Sequence, residues 1–201
     1  MKDAVTPGSD TEPGSTRLVA TLGFAGLLSG LIIVAVFEAT LPTITEYKAK
    51  MLQQAVFKVL PGISSMQELA YRDDRMVEAT GDEEEEDRIF GGYDADGVLV
   101  GYAIPNAGPG FQDTIRLLYG YLPEERRVVG MEILQSRETP GLGDKIYKDA
   151  DFVANFSALS ADPQIVTVKK GTRSAANEVD AITGATISSK AVVQIINRGN
   201  Q

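Results

Sequence analysis

The sequence predicts an α+β fold: one N-terminal transmembrane helix, then a single domain whose mostly antiparallel sheet is flanked by helices. Three observations predict it. Leu18 to Phe37 is uncharged and apolar on every face for about 20 residues, the length that crosses a bilayer as a helix. From Ile89 onward, short runs rich in β-branched and aromatic residues alternate with turn residues, as antiparallel strands do. Ahead of Gly199, which supplies a stop, the chain returns to helical spacing, with Ile187, Ala191, Val192, Ile195 and Ile196 on one predicted face.

Composition narrows the chemistry. A chain of 201 residues with 43% hydrophobic content has room for one membrane segment and one domain with a real core. The formal charge of -9 argues against a nucleic-acid partner and against docking on an anionic lipid surface. Without cysteine there is neither an iron–sulfur cluster nor a disulfide framework; without histidine there is no ordinary haem ligand, catalytic imidazole or typical zinc site. No metal site is expected. Redox chemistry on this chain would have to be carried by an organic cofactor.

In order, residues 1–17 are polar, prominent in Gly, Pro, Ser and Thr, and read as a disordered tail. Residues 18–37 form the anchor, expected to stay uncleaved because Val36-Phe37 ahead of Glu38 offers no small-x-small cleavage site. Gly23, Gly26 and Gly30 share one face of it, a spacing that suits a seam against other membrane helices but is also ordinary in such helices. Lys2 and Arg17 on one side balance Lys48, Lys50 and Lys58 on the other, so charge does not decide orientation. Residues 38–62 are expected to be a juxtamembrane helix with Tyr47, Met51, Ala55 and Leu60 near helical spacing, ended by Pro61-Gly62.

The remaining residues, 63–201, make the domain. The contiguous carboxylates Asp82 to Asp87 repel one another and predict a solvated loop rather than a metal site. Ile89–Tyr93 and Val98–Ile104 flank Asp94-Ala95-Asp96-Gly97, a hairpin turn. Gly108-Pro109-Gly110-Phe111 reads as a further turn. Ile115–Leu122 and Val128–Leu134 form a second antiparallel pair across Pro123-Glu124-Glu125-Arg126, followed by a short helix over Asp149–Leu159 and a strand over Ile165–Val168.

Two motifs carry the chemistry. In Glu138-Thr139-Pro140-Gly141-Leu142-Gly143-Asp144-Lys145, Pro-Gly favours a type II turn with Gly141 at positive φ. That turn would expose Leu142 at its tip, with Gly143 allowing close backbone approach. An apolar tip with polar groups at its rim suits a flat ring system, although an ordinary tight loop has the same signature. The second motif is Asp180-Ala181-Ile182-Thr183-Gly184-Ala185-Thr186-Ile187-Ser188-Ser189-Lys190. Thr186, Ser188 and Ser189 can each cap the last helix, whose N-terminus suits a phosphate, and Gly184 with Ala185 leaves space beside the Thr186 hydroxyl. Gly-Ala-Thr alone would be only a turn before a capped helix.

The longer string Asp-x-x-Thr-Gly-Ala-Thr, followed by Ser-Ser, resembles the flavinylation motif of the FMN-binding domain family. Together with Glu-Thr-Pro-Gly-Leu-Gly it resembles the G subunits of the Rnf ion-translocating electron-transport complex, and it is similar to the related C subunits of the sodium-pumping NADH:quinone oxidoreductase. Gly110-Phe111-Gln112 is similar to a Gly-Tyr-x-Gly-x-Ile pattern of these subunits, with Asp113 where glycine is common.

The resemblance implies a covalent FMN, joined by a dedicated flavin transferase through a phosphoester to Thr186. Thr183, Gly184 and Ala185 would lie along its phosphate and ribityl end, and Glu138, Thr139, Leu142 and Gly143 near the ring. Asp180 corresponds to the acidic residue of the transferase motif, and Lys145 or Lys190 would balance the phosphate. It further implies partner membrane subunits, a bacterial inner membrane and a domain on its periplasmic side. The chain has no Gly-x-Gly-x-x-Gly nicotinamide fingerprint and is not expected to turn over alone. An unmodified anchored assembly module and a free-standing flavin reductase are the competing readings.

Overall fold

The structure is a computed structural model that describes residues 14–72, 75–79 and 88–200. The tail before Gly14 and the acidic block 82–87 lie outside the described residues. Two compact units are present, residues 1–49 and 50–201.

The first unit is helical from Ser15 and belongs to helix α1, Ser15–Val59, which contains one stretch long and apolar enough to cross a membrane. The helix runs without a break from the anchor through Pro42 into the expected juxtamembrane segment. Proline removes a single backbone donor, and a long apolar helix tolerates that loss.

The second unit is built on a seven-stranded antiparallel sheet in the order β2-β1-β3-β4-β5-β6-β7. Its strands are β1 Ser65–Arg72, β2 Arg75–Glu78, β3 Arg88–Tyr93, β4 Leu99–Pro109, β5 Thr114–Leu122, β6 Arg127–Gln135 and β7 Leu159–Ser160. Short helices α2, Lys145–Lys148, and α3, Ala150–Ala154, lead into a single 3₁₀ turn over Asn155–Ala158. Strands β8, Val166–Val168, and β9, Glu178–Asp180, pair in parallel as a separate ribbon. Helix α4, Thr186–Gly199, closes the chain.

The sheet is covered on both faces, and strand alternation sorts the side chains. On β5, Ile115, Leu117 and Tyr119 join the core made with Phe152, Phe156, Val192, Ile195 and Ile196. Leu118 faces the other way, into a cluster with Ala55, Val56, Val59, Leu60, Phe90 and Ala103. The end of α1 therefore belongs to the domain, while Tyr47 and Met51 of the expected stripe stay exposed. Val59 lies on the cross-strand pair Gly120 and Gly130, where a Cβ at either position would collide with its backbone.

Strand β4 runs through Gly108-Pro109, and the turn predicted there falls at 110–113, closed by Gly110 N–H on Asp113 O at 2.9 Å. Pairing of Gly108 with Ile115 and Pro109 with Thr114 extends the ladder past the local turn signal. Strands β1 and β2 have no counterpart in the sequence reading. Their Ser65–Arg72 segment lacks the β-branched residues and strict alternation that mark a strand.

Candidate functional site

The two motifs meet at the head of α4. In the first, Thr139 O accepts Leu142 N–H at 3.2 Å and Gly141 sits at φ 78°, the turn that Pro140-Gly141 predicts. Leu142 stands 49% exposed at its tip. A side chain on Gly143 would strike Glu138 and approach the Ser188 hydroxyl, so only glycine lets this loop close on the helix.

Glu138 is the junction. It is 5% exposed, and its Oε1 accepts the N–H groups of Phe111 at 3.0 Å and Gln112 at 2.9 Å. Its Oε2 accepts the Ser188 hydroxyl of α4. Burial raises the pKa of this carboxyl, but the Ser188 hydroxyl and the N–H groups of Gln112, Asp113 and Phe111 outweigh it and hold the group below its ordinary value. Glu138 thus fastens three segments together and has both oxygens engaged within the protein. Thr139 adds a second tie, its Oγ1 donating to Gln112 Oε1 at 2.9 Å.

In the second motif Gly184 takes φ 86°, and a Cβ there would meet only Leu142 Cδ2, at 3.6 Å. Leu142 is thereby placed beside the Thr-Gly-Ala-Thr turn. The N-cap of α4 is Ala185, with no side-chain cap. None of the three hydroxyls expected to cap the helix does so. Ser188 is drawn to Glu138; Ser189 is buried, donating to Ala185 O at 2.9 Å and accepting Ile182 N–H at 3.1 Å. Thr186 is the first helical residue and is exposed. The amides of Thr186, Ile187 and Ser188 find no acceptor among the described residues, leaving the positive end of a 14-residue helix open.

Ile187 is 57% exposed rather than part of the buried face. Ser188, Ser189, Ala191, Val193, Ile195 and Ile196 are buried around Val192. At about 100° per residue, Ile187 falls roughly 140° from Val192, outside that arc. Phe111, Leu142 and Ile187 are 64%, 49% and 57% exposed, one on each of the three segments that Glu138 joins. Ser188, Phe111 and Gln112 were not among the site residues expected from sequence. The glycine-flanked Gly110-Phe111-Gln112 turn was the available signal.

The remaining predicted residues divide. Thr183 is exposed in the turn, and Lys145 opens α2 while Lys190 is exposed one turn into α4. Neither lysine makes an ion pair among the described residues. Asp180 has its carboxylate engaged by the 171–173 loop. Its Oδ1 accepts Gly171 N–H at 3.0 Å and Arg173 N–H at 3.3 Å, and its own N–H donates to Asn155 Oδ1 at 3.1 Å. It helps line a cleft of about 350 Å³ with Asp149, Asn155, Lys170, Arg173 and Ile182.

The family model described as an FMN-binding domain matches residues 110–201, which include both motifs. Over 170 residues the chain is 32% identical to the G subunit of the Na(+)-translocating ferredoxin:NAD(+) oxidoreductase complex of Acetobacterium woodii, covering 81% of this chain and 78% of that one. It is 30% identical over 190 residues to the G subunit of the ion-translocating oxidoreductase complex of Escherichia coli, covering 92% and 86%. The chain belongs to the family of G subunits of ion-translocating oxidoreductase complexes. In fold it is similar to the C subunit of the Na(+)-translocating NADH-quinone reductase from Parabacteroides distasonis, with a TM-score of 0.63 and 20% identity over 80% of this chain and 92% of that one. The residues present fit FMN. Open amides and an exposed hydroxyl suit its phosphate, and the glycine turn beside Leu142 leaves room next to them.

Proposed function

We propose that this chain is the electron-carrying subunit of a membrane-bound ion-translocating ferredoxin:NAD oxidoreductase complex, with FMN attached by a phosphoester to Thr186. One observation carries the assignment of the acceptor. Of the hydroxyls in the second motif, Ser188 and Ser189 are buried and committed to protein partners, whereas Thr186 is exposed at the open head of α4. Thr183 is exposed too, but it lies in the turn three residues ahead of the first residue of α4.

Bound FMN supplies reversible electron transfer; the protein supplies position and electrostatics. Thr186 offers the hydroxyl for the ester, and the open amides of Thr186, Ile187 and Ser188 would hold its phosphate. Gly184 and Ala185 keep the approach clear of side chains. Leu142, with Phe111 and Ile187 beside the same junction, provides apolar surface for the ring. A tether keeps the cofactor at high effective concentration in a compartment where a free one would be diluted away.

The partners are the other membrane subunits of the complex, a flavin transferase during maturation and the lipid bilayer that receives α1. The domain is assigned to the periplasmic side of a bacterial inner membrane. Intact-mass measurement on protein made beside a flavin transferase tests the acceptor. An adduct of one FMN that disappears in Thr186→Ala supports it; an adduct that survives, or never forms, refutes it.

A further inference from the structure

A buried anion stands directly behind the head of α4. Glu138 accepts hydrogen bonds through both oxygens, from Phe111 N–H, Gln112 N–H and the Ser188 hydroxyl, all neutral donors. Two N–H groups and a hydroxyl converging on its two oxygens favour the ionised carboxylate, which accepts at every lone pair. Ser188, which carries the hydrogen bond to that charge, lies two residues beyond Thr186, about 3 Å further along the helix axis.

A helix N-terminus carries roughly half a positive charge. A full negative charge held one hydrogen bond from its first turn offsets much of that field, yet this is the turn that faces the phosphate. The chain therefore builds an anion site and weakens it. Charge counting gives this arrangement a use. A phosphate monoester such as free FMN carries about -1.5 to -2 at neutral pH, because its second pKa is near 6. Esterified to a second alcohol, the phosphate loses that ionisable oxygen and keeps a single charge. Repulsion from a fixed anion scales with the charge it meets.

Resting on the Thr186 reading, we infer that Glu138, acting through Ser188, is a charge selector that tunes the head of α4 to the singly charged phosphodiester of threonyl-linked FMN and against the doubly charged monoester of free FMN. The cofactor is then retained by its bond, and the unmodified chain does not fill with free FMN ahead of the transferase. Glu138 is a positioning and selectivity residue, not one that touches the ring.

The test uses the full-length, unmodified chain in detergent, made without a flavin transferase and titrated at pH 7.5 with FMN and with riboflavin. Riboflavin shares the ring and ribityl chain but has no phosphate. Wild type is expected to bind FMN no more tightly than riboflavin. Glu138→Gln removes the charge at nearly constant shape: its amide oxygen still accepts the Phe111 and Gln112 N–H groups, while its NH2 replaces Oε2 and donates to the Ser188 hydroxyl, which turns its own proton elsewhere. It should raise the preference for FMN over riboflavin by roughly fivefold or more, with riboflavin affinity itself unchanged. A wild-type preference for FMN above tenfold, or a variant with no gain in phosphate preference, overturns the inference. If Glu138→Gln fails to fold, the wild-type ratio decides alone. A chain that is never flavinylated sinks the Thr186 reading; a flavinylated chain whose variant keeps the wild-type ratio sinks only the role of Glu138.

Discussion

Glu138 and Asp180, the acidic residues that open the two motifs, look alike in sequence, and each ends up accepting backbone N–H groups of its own chain. Their settings differ. Glu138 is buried and ties together three segments at the head of α4. Asp180 is half-buried and holds one loop, Gly171 to Arg173, beside an open cleft. A motif carboxylate can thus be kept for shape, with its distance from the chemistry set by which loops it fastens.

Substitution should separate the two. The largest effect belongs to neither: Thr186→Ala should abolish flavin attachment, Thr186→Val should match it, and Thr186→Ser should retain some label by in-gel flavin fluorescence. Equal labelling of the Ser and Val variants would contradict the choice of residue. Next comes Glu138→Ala, which strands a buried hydroxyl and two partly buried amides and should cost about 2–4 kcal/mol in chemical denaturation. Asp180→Ala leaves its amides within reach of water and should cost about 1 kcal/mol in the same measurement. A larger loss for Asp180→Ala than for Glu138→Ala would invert the comparison.

Acid should give the smallest and most gradual effect. The Glu138 carboxyl is held below its ordinary 4.5 by its hydrogen-bond donors, which outweigh burial. Its pKa is lower folded than unfolded, so its contribution to stability is fully present above about 4.5 and is lost as pH falls through the folded value. Asp144, beside Lys148 at 2.6 Å, and Glu178, under the Ser174 and Ala175 amides, shift in the same direction. Melting temperature should decline below pH 4.5, and Glu138→Gln should flatten part of that decline.

Local physics made much of this readable in advance. The Asp94–Gly97 turn, the strands on either side of Pro123–Arg126 and the Pro140-Gly141 turn with its exposed Leu142 depend on neighbours in sequence, and all are present. Long-range pairing decided the rest. Nothing near Ser65–Arg72 announces a strand; it becomes one because β3 offers a free edge. Ser188 looked like a cap until a carboxylate 50 residues away claimed its hydroxyl. The sequence of the juxtamembrane helix does not announce that its end packs into the Gly120–Gly130 notch through Val59. The bonds of Glu138 to the amides of 111 and 112 had no local signal because those residues lie 27 and 26 positions upstream.

The most direct test is peptide mapping of the chain taken from its native membrane. Trypsin cleavage after Arg173 and Lys190 releases Ser174–Lys190, which holds every candidate hydroxyl of the second motif. The account predicts that this peptide carries the mass of one FMN in phosphoester linkage, with fragment ions placing it on Thr186. The bare peptide mass throughout, or an adduct on Thr183, Ser188 or Ser189, would contradict it.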